Sequence, residues 1–502
     1  MSDPARNQPI YGLEDRPELP RTLVLGAQHV LTMFGATVSV PLLFGPVMGM
    51  SPGEVARLIS AVMLCSGLAT LLQTTIGTRL PIVQGVSFSF LGAFFFIIGS
   101  TSAEAATLGV PVGPLAMRYI AGAIILGALV ETVIGFSGLV GFLRKALSPV
   151  VIGPVIMLIG LALFMHGAPK AGTHWPIGGL TIVLIIVFSL VLSRTRRYFR
   201  LFPILTAVLG VTLLCYILSL MGVFPEGHPS HVSLAAVADS QWVRLNPGEL
   251  FFPWGAPKFH LGFFLAILAG YLASIIESVG DYHAVSYMSG CGDPTSKQLN
   301  RGIGSEGIGC LLTGIFGGFA STSYSENIGL VGLTKVASRW VVQVGGIILV
   351  LLGIFGKFGG FAAAIPGPVV GGLYCALFGL ISAIGIQQLA KADLSSDRNL
   401  FIAGFSLFMG LSVPAYFAAR ASAGALGPGQ SLAMYLPTSE GLIAALPPTL
   451  GGIVGSIGST GMAVAAIIGI LLDNVIPGTA EERGLGPSLL VPEGGDIGVG
   501  TE

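Results

Sequence analysis

Charge is what this chain has least of: Asp, Glu, Lys and Arg make up 10% of its 502 residues, with 24 basic residues against 24 acidic ones. A soluble domain carries about 25%, so the chain lacks the polar surface of a water-soluble fold. Zero net charge also removes the electrostatic argument for a nucleic-acid partner. Cysteine is scarce as well. Cys65, Cys215, Cys291, Cys310 and Cys375 form no CxxC pair and lie mostly in apolar runs, so they read as reduced packing residues rather than disulfides or metal ligands. No metal-ligand cluster, nucleophile elbow or phosphate-binding loop is present, which argues against an enzyme and against a resident cofactor. The N-terminus, MSDPARNQPIYGLEDRPELP, lacks the pattern of a signal peptide, so the first apolar run is expected to be retained.

What the chain does have is apolar length and glycine. Apolar residues make up 53%, and the mean hydropathy is +0.85. Apolar runs between charged or Pro-rich breaks place spans near 22–44, 54–76, 84–100, 117–138, 147–167, 176–193 and 202–224. After a polar connection at 225–259 come spans near 260–287, 304–320, 326–338, 340–357, 367–389, 399–417 and 442–473. The expected class is an all-α polytopic membrane protein. The third and tenth runs are too short to cross as simple helices. The 73 glycines, roughly twice the usual 7%, let helices approach closely and let spans break where a site needs bare backbone.

Loop charges orient this layout, because Lys and Arg collect on the cytoplasmic side. With the N-terminus inside, 17 of the 24 basic residues fall in inside segments, among them Arg6, Arg79, Arg144, Lys145, Arg194, Lys297, Lys335, Arg339 and Arg398. Both termini are therefore expected to be cytoplasmic, with tails 1–21 and 476–502. An internal repeat supports the same plan: PVVIGPVIMLIGL from Pro149 aligns without gaps with PVVGGLYCALFGL from Pro368 at seven of thirteen positions. The two copies lie seven spans apart, and an odd separation reverses the second copy in the membrane. That is the inverted-repeat signature of secondary transporters.

Charges inside spans cost about 2.5–3.5 kcal/mol each on insertion scales, so each one is a functional candidate. Four carboxylates stand out: Glu131, Glu277, Asp281 and Glu326. The i,i+4 spacing of Glu277 and Asp281 places both on one helix face, with His283 on another. Glu326 opens a half-helix after the Ser- and Thr-rich FASTSYSEN, and Gln84-Gly85 leads into a similar short helix in the first half. Two broken spans at matching places in inverted halves point to a midplane binding site. Their extended stretches can pair with each other and so satisfy their backbone groups. Glu131 reads first as a helix-to-helix hydrogen-bonding group. His29 is either a satisfied core histidine or a coupling group, and Asn327 and Thr334 either cap and crosslink helices or serve the site.

These residues resemble the nucleobase–ascorbate transporter family. Its signature, Gln, Glu or Pro followed by N-x-G-x4-T, stands here as ENIGLVGLT from Glu326 to Thr334, carrying Asn327 and Gly329. Its QH pair stands as Gln28-His29 and its eighth-span acid as Glu277. YGLEDRP, QTTIGTRLPIVQG, KAGTHW, ESVGDY and DLSSDRNLFIAGFS are similar to the branch with the animal sodium-dependent ascorbate and nucleobase transporters.

The resemblance implies fourteen spans in two inverted seven-span repeats, 22–224 and 260–475. It further implies a core domain (spans 1–4 and 8–11), a gate domain (5–7 and 12–14), and a homodimer in a plasma or inner membrane. By the same resemblance Glu277 and Glu326 hold a nucleobase, assisted by backbone near Phe88 and Ser325. Asp281, His29 and Glu277 are the coupling candidates for a co-transported proton, with sodium near Asp281 as the competing mode. Glu at 326 matches uracil and broad nucleobase carriers rather than urate, xanthine or ascorbate carriers. Asp281 stands where uracil permeases have His, as in purine and ascorbate carriers. An anion exchanger or channel of the same 7+7 architecture is the more distant alternative.

Overall fold

The computed structural model describes residues 9–141, 148–422, 454–455 and 457–485. The first long helices are α1 (Leu19–Val47), α2 (Pro52–Thr75), α3 (Leu91–Leu108) and α4 (Val112–Ser137). They are followed by α5 (Pro149–Ala162), α6 (Phe164–Ala171), α7 (Trp175–Ile186) and α8 (Pro203–Leu220). The second half holds α9 (Leu261–Met288), α10 (Ser296–Phe316), α11 (Ser325–Thr334) and α12 (Arg339–Ile354). It ends with α13 (Gly356–Ala363), α14 (Gly367–Leu389), α15 (Asp397–Ser422) and α16 (Gly461–Val475). Among the described residues nine helices are long and apolar enough to cross a membrane, or ten if the α12–α13 pair, bent by 81°, counts as one. The chain is a multi-pass membrane protein.

The helices pack in two groups. One joins α1–α4 with α9–α13, and the other joins α5–α8 with α14–α16. Inside the first, α4 and α10 approach to backbone contact, because Gly135 faces Gly304 and Gly307 faces Thr132 and Ala128. A Cβ on Gly135 would collide with the Gly304 backbone. Inside the second, α5 lies antiparallel to α14: Gly153 sits against Leu389, Gly160 against Phe378 and Ser382, and, just beyond α5, Gly167 against Cys375. These helices carry the two copies of the repeat found in the sequence, so the repeated segments run in opposite directions and pack on each other.

Within the first group, against α1, α2, α9 and α10, two strands, β1 (Gln84–Val86) and β2 (Ser321–Ser323), pair antiparallel with Gln84 opposite Ser323 and Val86 opposite Ser321. The ladder extends one residue each way, through Tyr324 N–H to Val83 O (3.0 Å) and Ser87 N–H to Ala320 O (2.9 Å). Backbone that cannot find water in a membrane is thus satisfied inside protein. β1 leads through a 3-10 turn at Phe88–Phe90 into α3, and β2 leads directly into α11.

The boundaries differ from the apolar runs in instructive places. The third run was expected to stop at 100, yet the helix continues to Leu108 and is capped by Gly109 at φ +64°. The hydroxyls of Thr101 and Ser102 donate back to the carbonyls of Ile97 and Ile98, and Glu104 meets Lys258 at 2.7 Å, so polar residues persist without ending the helix. The ninth span was expected from 304, but α10 begins at Ser296, where Thr295 and Gln298 form a capping box. The described part of the segment expected as an N-terminal tail is held against the rest of the protein. Tyr11 bridges Val336, Ala337 N–H donates to Tyr11 O at 2.8 Å, and Arg339 holds Glu14 at 2.6 Å. Arg6, Arg144, Lys145, residues 442–453 and 456 of the last expected span, and the tail from 486 lie outside the described residues.

Candidate functional site

The crossing of the ribbon by α9 is where the intramembrane acids collect. The fixed turn of α9 puts Glu277 and Asp281 on one face, as their spacing predicts, and that face meets the ends of both strands. Asp281 accepts from the Ser323 hydroxyl at one oxygen and from the Ser325 hydroxyl at the other, both at 2.7 Å. Glu277 accepts a long bond, 3.4 Å, from Ser89 in the turn after β1. Glu326 sits half-buried in the first turn of α11 and acts electrostatically on both Glu277 and Asp281. Three carboxyls, drawn from one long helix and one half-helix, therefore converge beside a two-stranded ribbon. The first turn of α11 also leaves backbone N–H groups unpaired within the helix, which favours a polar or negative ligand group there.

Behind this face lies a second polar layer. Ser278 Oγ donates to Glu306 on α10 at 2.7 Å, and it also lies 2.9 Å from Ser323 Oγ and 3.1 Å from Thr322 Oγ1. Glu306 takes further hydroxyls from Ser274 and Tyr282, each at 2.8 Å. The Tyr282 hydroxyl in turn accepts from the side chain of Gln73 on α2. Sequence reading passed over Glu306, although GIGSEGIGC contains an acid within an apolar, Gly-rich run without a neighbouring Lys or Arg. The rule that selected the other four acids selects this one too.

The remaining candidates divide. Ser325 is at the site, but its hydroxyl is committed to Asp281, which leaves its backbone N–H for a ligand. Phe88 stands half-buried in the turn after β1, edge-on to Phe378 with ring centroids 6.5 Å apart, so it spans the two helix groups. Asn327 donates to the His29 carbonyl at 2.9 Å and lies 3.1 Å from its ring, tying α11 to α1. Thr334 donates to its own helix at Leu330 O, and Gly329 is exposed with open space where a Cβ would stand. Gln28 is half-buried beside His29. Glu131 faces Glu306 rather than the three convergent acids, and among the described residues neither of its oxygens has a hydrogen-bond partner. The helix-to-helix bond expected of it is not made. Gln84 is likewise buried with its amide unpartnered, while its backbone N–H is held by Thr70 at 2.9 Å.

Broken helices that start from a paired ribbon inside a multi-pass bundle, with acids gathered where they meet, define a membrane transporter rather than an enzyme. The comparisons agree. Residues 20–419 match the permease family. The human solute carrier family 23 member 2 is 37% identical over 96% of this chain and 77% of its own length. The mouse solute carrier family 23 member 1 is 36% identical over 95% and 82%. The Arabidopsis thaliana nucleobase-ascorbate transporter 1 is 36% identical over 81% of this chain and 80% of its own. The chain belongs to the nucleobase–ascorbate transporter family. In fold it is similar to the transmembrane domain of the cyanobacterial bicarbonate transporter BicA, with a TM-score of 0.51, 15% identity, and coverage of 76% of this chain and 92% of that one. SLC26A9 is similar too, with a TM-score of 0.53, 11% identity, and coverage of 78% and 63%.

Proposed function

We propose that the protein is a secondary active transporter that imports a nucleobase, uracil or a purine such as xanthine, together with a proton. The observation that carries this reading is the convergence of Glu277, Asp281 and Glu326 on the ends of one ribbon. A nucleobase edge alternates N–H donors with C=O acceptors. A carboxylate accepts from the first, and a protonated carboxyl donates to the second. Glu277 and Glu326, on separate elements, clamp such an edge, and Phe88 covers the ring face. The ligand is neutral, so carrying bare carboxylates past a dry barrier is unfavourable, and a proton taken up with the base relieves that cost. Three gathered acids repel an anion. The bicarbonate handled by a protein of similar fold is therefore a poor match for this site.

In this reading the chain forms fourteen spans as two inverted repeats, with both termini cytoplasmic in a plasma or inner membrane. It works as a homodimer. The group α1–α4 with α9–α13 is the core that carries the substrate, and the other group is the gate. Their mutual contacts include the stacking of Phe95 on His166 (4.6 Å) and the bonds from Tyr374 to Ser39 O (3.1 Å) and Lys170 to Leu42 O (3.5 Å). Such contacts can be exchanged as one group shifts against the other. A second reading, sodium coupling with a nucleobase or ascorbate as cargo, draws on the oxygens of Asp281, Ser323 and Ser325, which suit a hard cation.

The deciding experiment is a thermal-shift panel of uracil, xanthine, hypoxanthine, urate and ascorbate, with and without sodium, followed by radiolabelled uptake. A nucleobase is expected to stabilise the protein without sodium, and Glu326→Pro is expected to abolish uracil and xanthine uptake. Stabilisation by ascorbate alone, or normal uptake by that variant, refutes the assignment.

A further inference from the structure

The layer behind the acids contains an unbroken line of oxygens. Asp281, Ser323, Ser278 and Glu306 follow one another at 2.7, 2.9 and 2.7 Å, crossing from the face of α9 that meets the ribbon to the buried contact with α10. All four side chains are buried. Counting protons shows what the line requires. It has three oxygen–oxygen contacts, each needing one hydrogen, but its two serines supply only two. With both carboxyls ionised, each serine spends its hydrogen on an acid, and the 2.9 Å contact between the serines is left with none. One further proton completes the line. Placed on Asp281, it turns both hydroxyls toward Glu306; placed on Glu306, it turns both toward Asp281.

We propose that Asp281–Ser323–Ser278–Glu306 is a proton wire holding one proton, and that Glu306 stores this proton away from the substrate while the pocket reloads. The proposal rests on the proton-symport reading and gives it a path. In the transfer, Asp281 gives its proton to Ser323, Ser323 passes its own to Ser278, and Ser278 passes its own to Glu306. Three O–H bonds break and three form. Asp281 becomes a carboxylate, Glu306 becomes neutral, and no other reactant is needed.

The neighbours suit this task. Ser325 holds the outer oxygen of Asp281, while Ser274 and Tyr282 hold Glu306, so neither terminal acid can swing off the line. The other titratable groups acting on Asp281 are Glu277 and Glu326 within the pocket and Lys391 at the end of α14. Those acting on or beside Glu306 are Glu131 from α4, Tyr271, Tyr282 and, more weakly, Glu277 from α9, and Cys310 from its own helix. The pocket acids change surroundings when a base binds, whereas Glu131 is sealed against α10. Substrate therefore biases the Asp281 end of the wire more than the Glu306 end.

The test uses the full chain in proteoliposomes containing a pH-sensitive dye, with labelled uracil and labelled xanthine as probes. Net uptake must move the proton, whereas exchange of labelled for unlabelled base need not. Ser278→Ala breaks the line and keeps both acids. It is expected to lower the ratio of pH-driven net uptake to exchange by about tenfold or more and to abolish base-dependent acidification, and Ser278→Thr is expected to restore both. Acidification and a net-to-exchange ratio within about twofold of wild type in Ser278→Ala overturn the wire alone. Wild-type uptake of base without acidification overturns the symport reading and the wire together. If Ser278→Ala does not fold, Glu306→Gln carries the same expectation, and a wild-type ratio in that variant overturns the proposal.

Discussion

The two halves of the ribbon are alike in backbone and opposite in chemistry. β1 and β2 each contribute three residues, pair antiparallel, and release a helix directly or after a single turn. The first half then fills with aromatics: Phe90 packs edge-on to Tyr271 at 4.7 Å, and Phe94 lies 5.0 Å from Phe319. The second half is a run of hydroxyls ending in an acid, Ser321-Thr322-Ser323 to Ser325-Glu326, and it supplies both hydroxyls that donate to Asp281. Inverted symmetry therefore fixes where two helix starts meet, and divergence between the repeats decides what meets there. One half supplies a rigid apolar wall and a single long bond from Ser89 to Glu277, and the other supplies both bonds to Asp281.

That division can be broken most severely at its joint. A Cβ on Gly85 of β1 would run into the Tyr324 ring at the end of β2 and reach 2.9 Å from Met33. Tyr324 cannot give way freely, because its hydroxyl donates to Val86 O at 3.0 Å and accepts from Thr37 at 3.1 Å. Gly85→Ala is expected to cost about 1–3 kcal/mol through overpacking, read as a lowered melting temperature in detergent together with lost uptake. Gly99→Ala, where open space receives the methyl, is the control expected to keep its melting temperature. A milder probe addresses the wall. Phe88→Ala is expected to raise the KM for the base about two- to tenfold, the worth of one aromatic contact, with kcat changed less. A collapse of kcat with KM unchanged would move Phe88 from substrate cover to conformational coupling.

The smallest effect lies at the surface, where Glu14 is held by Arg339. The guanidinium donates to the carboxylate at 2.6 to 2.9 Å and keeps it below its ordinary value of 4.5. A depressed folded-state value means that the contribution is complete above the unfolded value and fades as pH falls through the folded one. The melting-temperature gap between wild type and Glu14→Gln should thus be present at neutral pH and close in acid. Because Glu14 is largely exposed, the pair belongs near the low end of the ~0–1 kcal/mol range for surface ion pairs.

Much of this was legible in the sequence. The polar, glycine-marked lead-ins at Gln84-Gly85 and FASTSYSEN announced two broken spans and their pairing, because such composition ends helices and leaves backbone to be satisfied. The i,i+4 acids announced one shared face. Glu306 is as legible as Glu131, each an acid in an apolar, Gly-rich stretch of an unbroken helix, whereas the hydroxyls that engage it, from Ser274, Ser278 and Tyr282, come from another helix and are not. The extension of α3 to Leu108 was not legible, because it depends on hydroxyls turning back onto their own helix and on Lys258 arriving from a distant loop. The chain start was read as a tail because it is polar, and nothing local reveals that Lys335–Arg339 provides a partner for it.

That partner has a mechanical consequence. The half-helix bearing Glu326 is fastened at its beginning to α9 through Ser325, along its length to α1 through Asn327, and just past its end to the chain start through Tyr11 and Leu13. A rod pinned at three stations cannot swing like a door. In the transport cycle proposed above it travels with its surroundings as one piece, and a passage to either side of the bilayer opens along the seam with the neighbouring helix group, leaving the grip on the cargo undisturbed in transit.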